Sequence, residues 1–137
     1  MSWASIEQTK GEYNYSQFDL FFEQLASRNI GWICILGDAN PLYGAPNGIG
    51  KLGANATAAQ IDGFARFAKD IGQTYGSAGV AIYFELTNEP NTGGGYGDPL
   101  RYANLILPAG IALRSVNASV AIGSVADVDP HPDPENP

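Results

Sequence analysis

Three apolar runs, residues 30–40, 80–86 and 119–126, each follow a stretch whose apolar residues recur at helical spacing. Phe18, Phe21, Phe22 and Leu25 stand at i, i+3, i+4 and i+7, which builds one apolar helix face. Ile61, Phe64, Ala65, Ala68 and Ile71 form a second such stripe, and Tyr102, Leu105, Ile106, Ala109 and Leu113 a third. Helix start signals lie close by. Ser16 with Asp19 resembles a capping box, Thr57 with Gln60 makes another, and Asp98-Pro99 pairs an N-cap residue with proline at the first helical position. Pro108 falls inside the third stripe and is expected to kink that helix or end its first half. The order is helix, strand, helix, strand, helix, strand. Such alternation predicts βαβ units and a parallel sheet.

The chain has 137 residues, 45% of them hydrophobic and 15% charged, which suits one globular domain with one core. Its net charge of −7 leaves no basic footprint for nucleic acid. No apolar run is long enough to span a bilayer, and no basic amphipathic stretch suggests a membrane surface. The lone Cys34 supports neither a disulfide framework nor a cysteine zinc site, and its apolar run predicts a small buried hydrophobe. His131 stands between prolines with no second metal ligand beside it, so neither a metal nor another cofactor is expected.

The run "VAIYFELTNEPNTGGGYG", residues 80–97, carries the chemistry. Side chains alternate faces along a strand, so Val80, Ile82, Phe84 and Leu86 share an apolar face that packs on helices. Ala81, Tyr83, Glu85 and Thr87 share a more polar one. A polar inner face against an apolar outer one fits a barrel wall better than a sheet covered on both sides. Glu85 and Glu89 fall on the same face, but four residues of strand separate them by about 13 Å. Glycosidase carboxyl pairs stand about 5–5.5 Å apart in retaining enzymes and about 6.5–9.5 Å apart in inverting ones. Glu85 is therefore expected to be a buried inner-layer carboxylate with a hydrogen-bonded or cationic partner. Alternation also sends Asn88 to the face opposite Glu89, so a shared site requires the strand to end or bulge at Asn88. The glycines at 93–95 match no phosphate-binding pattern.

"FELTNEPN" after an apolar strand resembles the acid/base signature of the large glycoside hydrolase clan with (β/α)8 barrels, which includes family 5 cellulases and family 39 xylosidases. The segment "SWASIEQTKGEYNYSQFD" is similar to the stretch after strand two in that clan, and "ILGDANPLYG" resembles its strand-three rim, which often lines the sugar site. Thr87 stands where family 39 often has Trp, so the motif leans toward family 5. The resemblance covers nearly the whole chain up to Ala126. It implies an α/β fold, a partial (β/α)8 TIM barrel from about the end of strand two through strand five. Residues 1–126 would form the partial catalytic barrel, and residues 127–137 an acidic, proline-rich tail or truncated end.

The resemblance further implies that Glu89 is the general acid/base and Asn88 the ligand of the sugar 2-hydroxyl. Trp3 and Tyr43 become candidate sugar-stacking platforms, or else ordinary partly buried aromatics. Asp38 and Asn40 are candidate sugar ligands, or else turn formers. Glu7 is expected to be structural or solvated. The implied activity is retaining hydrolysis of O-glycosidic bonds in a β-glycan, with an oligo- or polysaccharide partner. In the clan the nucleophile is a second Glu at the end of strand seven, and no residue here matches it. A barrel takes about 250 residues, so this chain is expected to be a piece of an enzyme and inactive alone. The alternative is a non-catalytic half-barrel or carbohydrate-binding remnant. The full-length enzyme is expected to be extracellular or secreted, although residues 1–4 show no signal peptide.

Overall fold

The computed structural model describes residues 1–76, 82–87, 99–116 and 121–123. Among them are three parallel strands, β1 (Trp32–Leu36), β2 (Ile82–Leu86) and β3 (Ala121–Gly123), hydrogen-bonded in the order β1-β2-β3. The register sets Trp32 beside Ile82 and Leu36 beside Leu86, then Tyr83 beside Ala121 and Glu85 beside Gly123. The helices are α1 (Trp3–Ile6), α2 (Ser16–Ser27), α3 (Ala58–Tyr75) and α4 (Pro99–Val116), with 3-10 turns at Pro41–Tyr43 and Gly50–Asn55. The first residues extend the sheet's edge. Ser2 bridges Gly37 in parallel, Gly37 N–H donates to the Met1 carbonyl at 2.9 Å, and the Met1 ammonium donates to the Ile35 carbonyl.

Strands that are neighbours in sequence are neighbours in the sheet. With right-handed crossovers that order stacks the connecting helices on one face. Burial follows. Cys34, Leu36, Phe84 and Leu86 point into the core with Phe22 of α2, Phe64, Phe67 and Ile71 of α3, and Leu105, Ala109 and Leu113 of α4. On the other face Ile33 is 60% exposed, Ile35 37% and Tyr83 54%. An apolar run reads equally well as a strand buried on both sides, and residues 30–40 are in fact buried on one. Glu85 lies on this open face. It is half-buried and accepts no hydrogen bond from the described residues, where a buried and partnered carboxylate was expected.

Local signals explain most of the helix boundaries. Thr57 caps α3 by accepting from Gln60 N–H, and the Gln60 side chain returns the bond to Thr57 N–H at 2.7 Å, a complete capping box. Ser16 does not cap α2. Tyr15 is the N-cap, and the Ser16 N–H is taken by Asn14 Oδ1 at 3.0 Å, so the helix begins one residue early. Pro108 does not end α4, which runs through it to Val116. The Asn104 carbonyl that loses its donor lies on the exposed side of the helix, where water can satisfy it. Two tyrosine pairs tie α2 to α3. Tyr75 stacks on Phe22 with centroids 3.6 Å apart and donates to Asp19 at 2.9 Å, while Tyr15 donates to Asp70 at 2.8 Å. No helix among the described residues is long and apolar enough to cross a membrane. The expected tail at 127–137 lies outside the described residues.

Candidate functional site

Parallel register brings the C-terminal ends of β1 and β2 to one edge of the sheet, the usual place for sites in parallel α/β folds. Asp38 and Asn40 follow β1 there. The Ser2–Gly37 bridge brings the N-terminal segment with Trp3 and Glu7 to the same edge. Thr87 follows β2, and its N–H donates to the Leu36 carbonyl at 3.0 Å. The two residues assigned to catalysis and to the 2-hydroxyl, Glu89 and Asn88, lie outside the described residues, as do Val80 and Ala81.

Of the other four candidates, Trp3, Asn40 and Tyr43 form one cluster centred on Glu7, while Asp38 bonds to the loop at residues 48–50. One turn of α1 sets Trp3 and Glu7 four residues apart on the same side, so the indole N–H donates to Glu7 Oε2. Glu7 Oε1 accepts from Gly11 N–H and from the Tyr43 hydroxyl, both at 2.7 Å. The carboxylate is fully buried, and these three donors replace the water it lost. Asn40 Nδ2 donates to the Glu7 carbonyl at 3.1 Å, and Asn40 Oδ1 accepts from Leu42 N–H at 2.9 Å. Gln60 Nε2 reaches from α3 to the Tyr43 carbonyl at 2.8 Å. Asp38 Oδ2 accepts from Gly50 N–H at 2.8 Å.

This geometry gives the candidates structural tasks. Trp3 is 0% exposed, stacked on Tyr43 at 4.6 Å and packed near Phe64 and Phe67, so its indole offers no face to a sugar. Tyr43 is half-buried, with Trp3 against its ring and the Lys10 ammonium 4.9 Å from its centroid. A ring so occupied is not a free stacking platform. Burial and the hydrogen bond to Glu7 raise the Tyr43 hydroxyl's pKa, while Arg66 partly opposes the shift. Asn40, 1% exposed, caps the Pro41–Tyr43 turn. Asp38 holds the loop entering Gly50, and Gly48 backs onto it with φ of 102°, where a Cβ would come within 2.8 Å of its carboxylate. Both follow the turn-forming alternative. Glu7, expected to be structural or solvated, is structural and fully buried. Its Trp3 spacing was visible in the chain, but its Tyr43 partner lies 36 residues away and left no local trace.

Thr87 is the unusual residue of the edge. Its φ is 71°, it is 2% exposed, and its hydroxyl has no hydrogen-bond partner among the described residues. The departure from regular strand comes one residue ahead of Asn88, where alternation required it for a shared site. The described residues hold no group of three or more metal-ligating side chains. No protein-family model matches the chain, and no curated protein matches it significantly.

Proposed function

We propose that this chain is part of a retaining glycoside hydrolase of the (β/α)8 type, acting on O-glycosidic bonds of a β-glycan. Glu89 serves as acid/base, Asn88 holds the sugar 2-hydroxyl, and the nucleophile comes from outside residues 1–137. The observation that carries this reading is the place of the motif. Asn88-Glu89-Pro90 comes one residue after the Thr87 that closes β2, the central strand of a parallel sheet in consecutive order. The helix layer covers one face of that sheet and leaves the other open, as a barrel wall would.

In the proposed reaction Glu89 enters protonated and gives its proton to the departing glycosidic oxygen as the nucleophile attacks the anomeric carbon. It then removes a proton from the water that releases the glycosyl-enzyme. The 2-hydroxyl contact from Asn88 strengthens in the oxocarbenium-like transition state. A non-catalytic carbohydrate-binding remnant is the second reading, and one observation favours it. The described carboxylates at the same edge, Glu7 and Asp38, are both engaged in structural hydrogen bonds, so neither stands as a second catalytic carboxylate among the described residues.

Two measurements test the proposal. The chain alone is expected to release no aryl group from aryl β-glycosides and no reducing ends from β-glucan; Glu89-dependent turnover by this chain would refute the external nucleophile. The coding sequence on either side is expected to supply the remaining strands, one of them ending in Glu. Stop codons directly after Pro137 would favour the remnant.

A further inference from the structure

The loop that follows β1 contains the chain's single Asn-Gly pair, Asn47-Gly48. The Gly48 N–H donates to the Ala45 carbonyl at 3.2 Å, which closes a β-turn over Pro46 and Asn47. Among the described residues the non-glycine positions with positive φ are Asn29 and Thr87, so Asn47 is not left-handed and the turn is type I. The same Ala45 carbonyl accepts from Asn40 N–H at 2.8 Å, and the Ala45 N–H returns to the Asn40 carbonyl at 3.2 Å. Asp38 holds the far side of the loop. Its carbonyl accepts from Ile49 N–H at 3.2 Å and its carboxylate from Gly50 N–H at 2.8 Å. Gly48 is buried with φ of 102°, and the fold requires glycine there, since a Cβ would come within 2.8 Å of the Asp38 carboxylate. Asn47 is exposed, at a turn position that most residues can fill.

We propose that Asn47 is a site of spontaneous deamidation, and that the turn held by Ala45 and Asp38 is the lock that restrains it. The Gly48 amide nitrogen loses its proton to base and attacks Asn47 Cγ. The Cγ–Nδ2 bond breaks, ammonia leaves with a proton from water, and a succinimide ring closes. Water then opens the ring. Attack at Cγ gives aspartate in an ordinary chain. Attack at the main-chain carbonyl gives isoaspartate, with the backbone routed through the former side chain. Glycine offers the attacking nitrogen the least hindrance. In the type I turn, ψ at Asn47 lies near about 0°, which holds the Gly48 nitrogen away from Cγ. Attack requires rotation about the Asn47 Cα–C bond. That rotation breaks the Gly48–Ala45 bond and draws Gly48 off Asp38. The chain therefore reacts from the locally opened loop and not from the closed one. Once formed, isoaspartate adds a backbone carbon, and either product adds a negative charge one residue from the glycine that backs onto the Asp38 carboxylate. The loop cannot then reclose as before, and the change lies at the sheet edge that carries the candidate site. This modification is independent of the glycosidase reading.

The test is incubation of the whole chain at mildly alkaline pH beside a synthetic peptide of residues 43–51, with isoaspartate located by peptide mapping. The peptide is expected to form isoaspartate at Asn47. The folded chain is expected to form it at the same residue, slower by about tenfold or more. Asp38→Ala, shown to be folded by a thermal melt, should bring the chain most of the way to the peptide's rate. Asn47→Ala should abolish the product, and chain that has accumulated it should melt below fresh chain. Equal rates in chain and peptide would overturn the lock. A peptide without isoaspartate at Asn47, or a chain in which it arises only at other residues, would overturn the site. A folded Asp38→Ala chain that reacts no faster would remove Asp38 from the lock. If Asp38→Ala does not fold, Asp38→Asn takes its place, and loss of folding in both would make Asp38 a stability residue only and overturn its share in the proposal.

Discussion

Two structures at one edge of the sheet solve opposite problems. Around Glu7 the carboxylate's own demands are met: fully buried, it has three donors, and the neighbouring Asn40 and Gln60 amides are bonded in turn, although the nearby Tyr13 hydroxyl has no partner among the described residues. At Thr87, across the Leu36 carbonyl, a buried hydroxyl finds no partner among the described residues, on a backbone that its residue type disfavours. The first is what a scaffold looks like. The second is what stability alone would remove. The residues first suspected of touching sugar, Trp3, Asn40 and Tyr43, belong to the scaffold, and the unexplained cost sits beside the Asn-Glu pair.

The sharpest way to break this contrast is to unmake the satisfied side. Glu7→Ala strands the Trp3 indole N–H, the Gly11 N–H and the Tyr43 hydroxyl in a dry environment. Each lost bond to a charged acceptor counts, and so does each orphaned donor. The expected destabilisation is about 3–5 kcal/mol, enough to unfold a marginal chain. Urea denaturation of Glu7→Ala and Glu7→Gln separates the parts, since Gln keeps the shape and loses the charge. A loss below about 1 kcal/mol in Glu7→Ala would mean that the network is not what holds the N-terminal segment to the sheet.

A smaller effect with a telling sign is expected at Gly63. In an ordinary helix interior Gly→Ala stabilises by about 0.8–1 kcal/mol. Here a Cβ would lie 2.6 Å from Tyr43 Cε1, and Tyr43 cannot easily retreat, because Glu7 holds its hydroxyl and Trp3 its ring. Gly63→Ala should therefore destabilise, by about 1–3 kcal/mol. Gly72 on the same helix offers the comparison. Its Cβ would meet the end of the Leu113 side chain at 2.9 Å, which can turn aside, so Gly72→Ala should cost less. Equal effects at the two glycines, read from chemical denaturation, would show that Tyr43 is not rigidly held.

What could be read from the chain follows the range of the forces involved. The capping box at Thr57 and Gln60 is complete in three residues, and the stripe through Phe64, Ala68 and Ile71 repeats within one helix, so both are local and legible. The alternation of strand and helix carried the parallel sheet. Longer-range facts left no such mark. A four-residue helix such as α1 is too short to show periodicity. The exposure of Ile33 and Ile35 depends on what covers the sheet, and apolar letters do not say which face is covered. The burial of Glu7 needs a tyrosine from a distant loop. The break at Thr87 was foreseen only as a requirement one residue later, because threonine predicts extended backbone and nothing nearby in the chain contradicts it.

The smallest expected effect separates that edge from the core beneath it. Cys34 points from β1 into the helix layer, is free, and is 0% exposed. Burial pushes its thiol up to about 12, with the N-terminal ammonium pulling slightly the other way. In the unfolded chain the thiol ionises near about 8.5. Between these values the unfolded state binds fewer protons than the folded one, so stability falls as pH rises. The contribution is whole below the unfolded pKa and is lost progressively as pH climbs toward the folded one. By pH 10 the expected loss is on the order of 1–2 kcal/mol. Half-buried Tyr13 and buried Tyr15 and Tyr75, whose hydroxyls are also raised by burial, add to it at higher pH. Cys34→Ala should flatten the denaturation midpoint between pH 8 and 10 without changing how Glu7→Ala and Gly63→Ala behave at pH 7. If the slope persists in Cys34→Ala, the alkaline sensitivity belongs to the tyrosines of the α2–α3 contact and to Tyr43 at the edge. The core and the Glu7 network would then respond to pH as one unit, and the contrast between edge and interior would have to be redrawn.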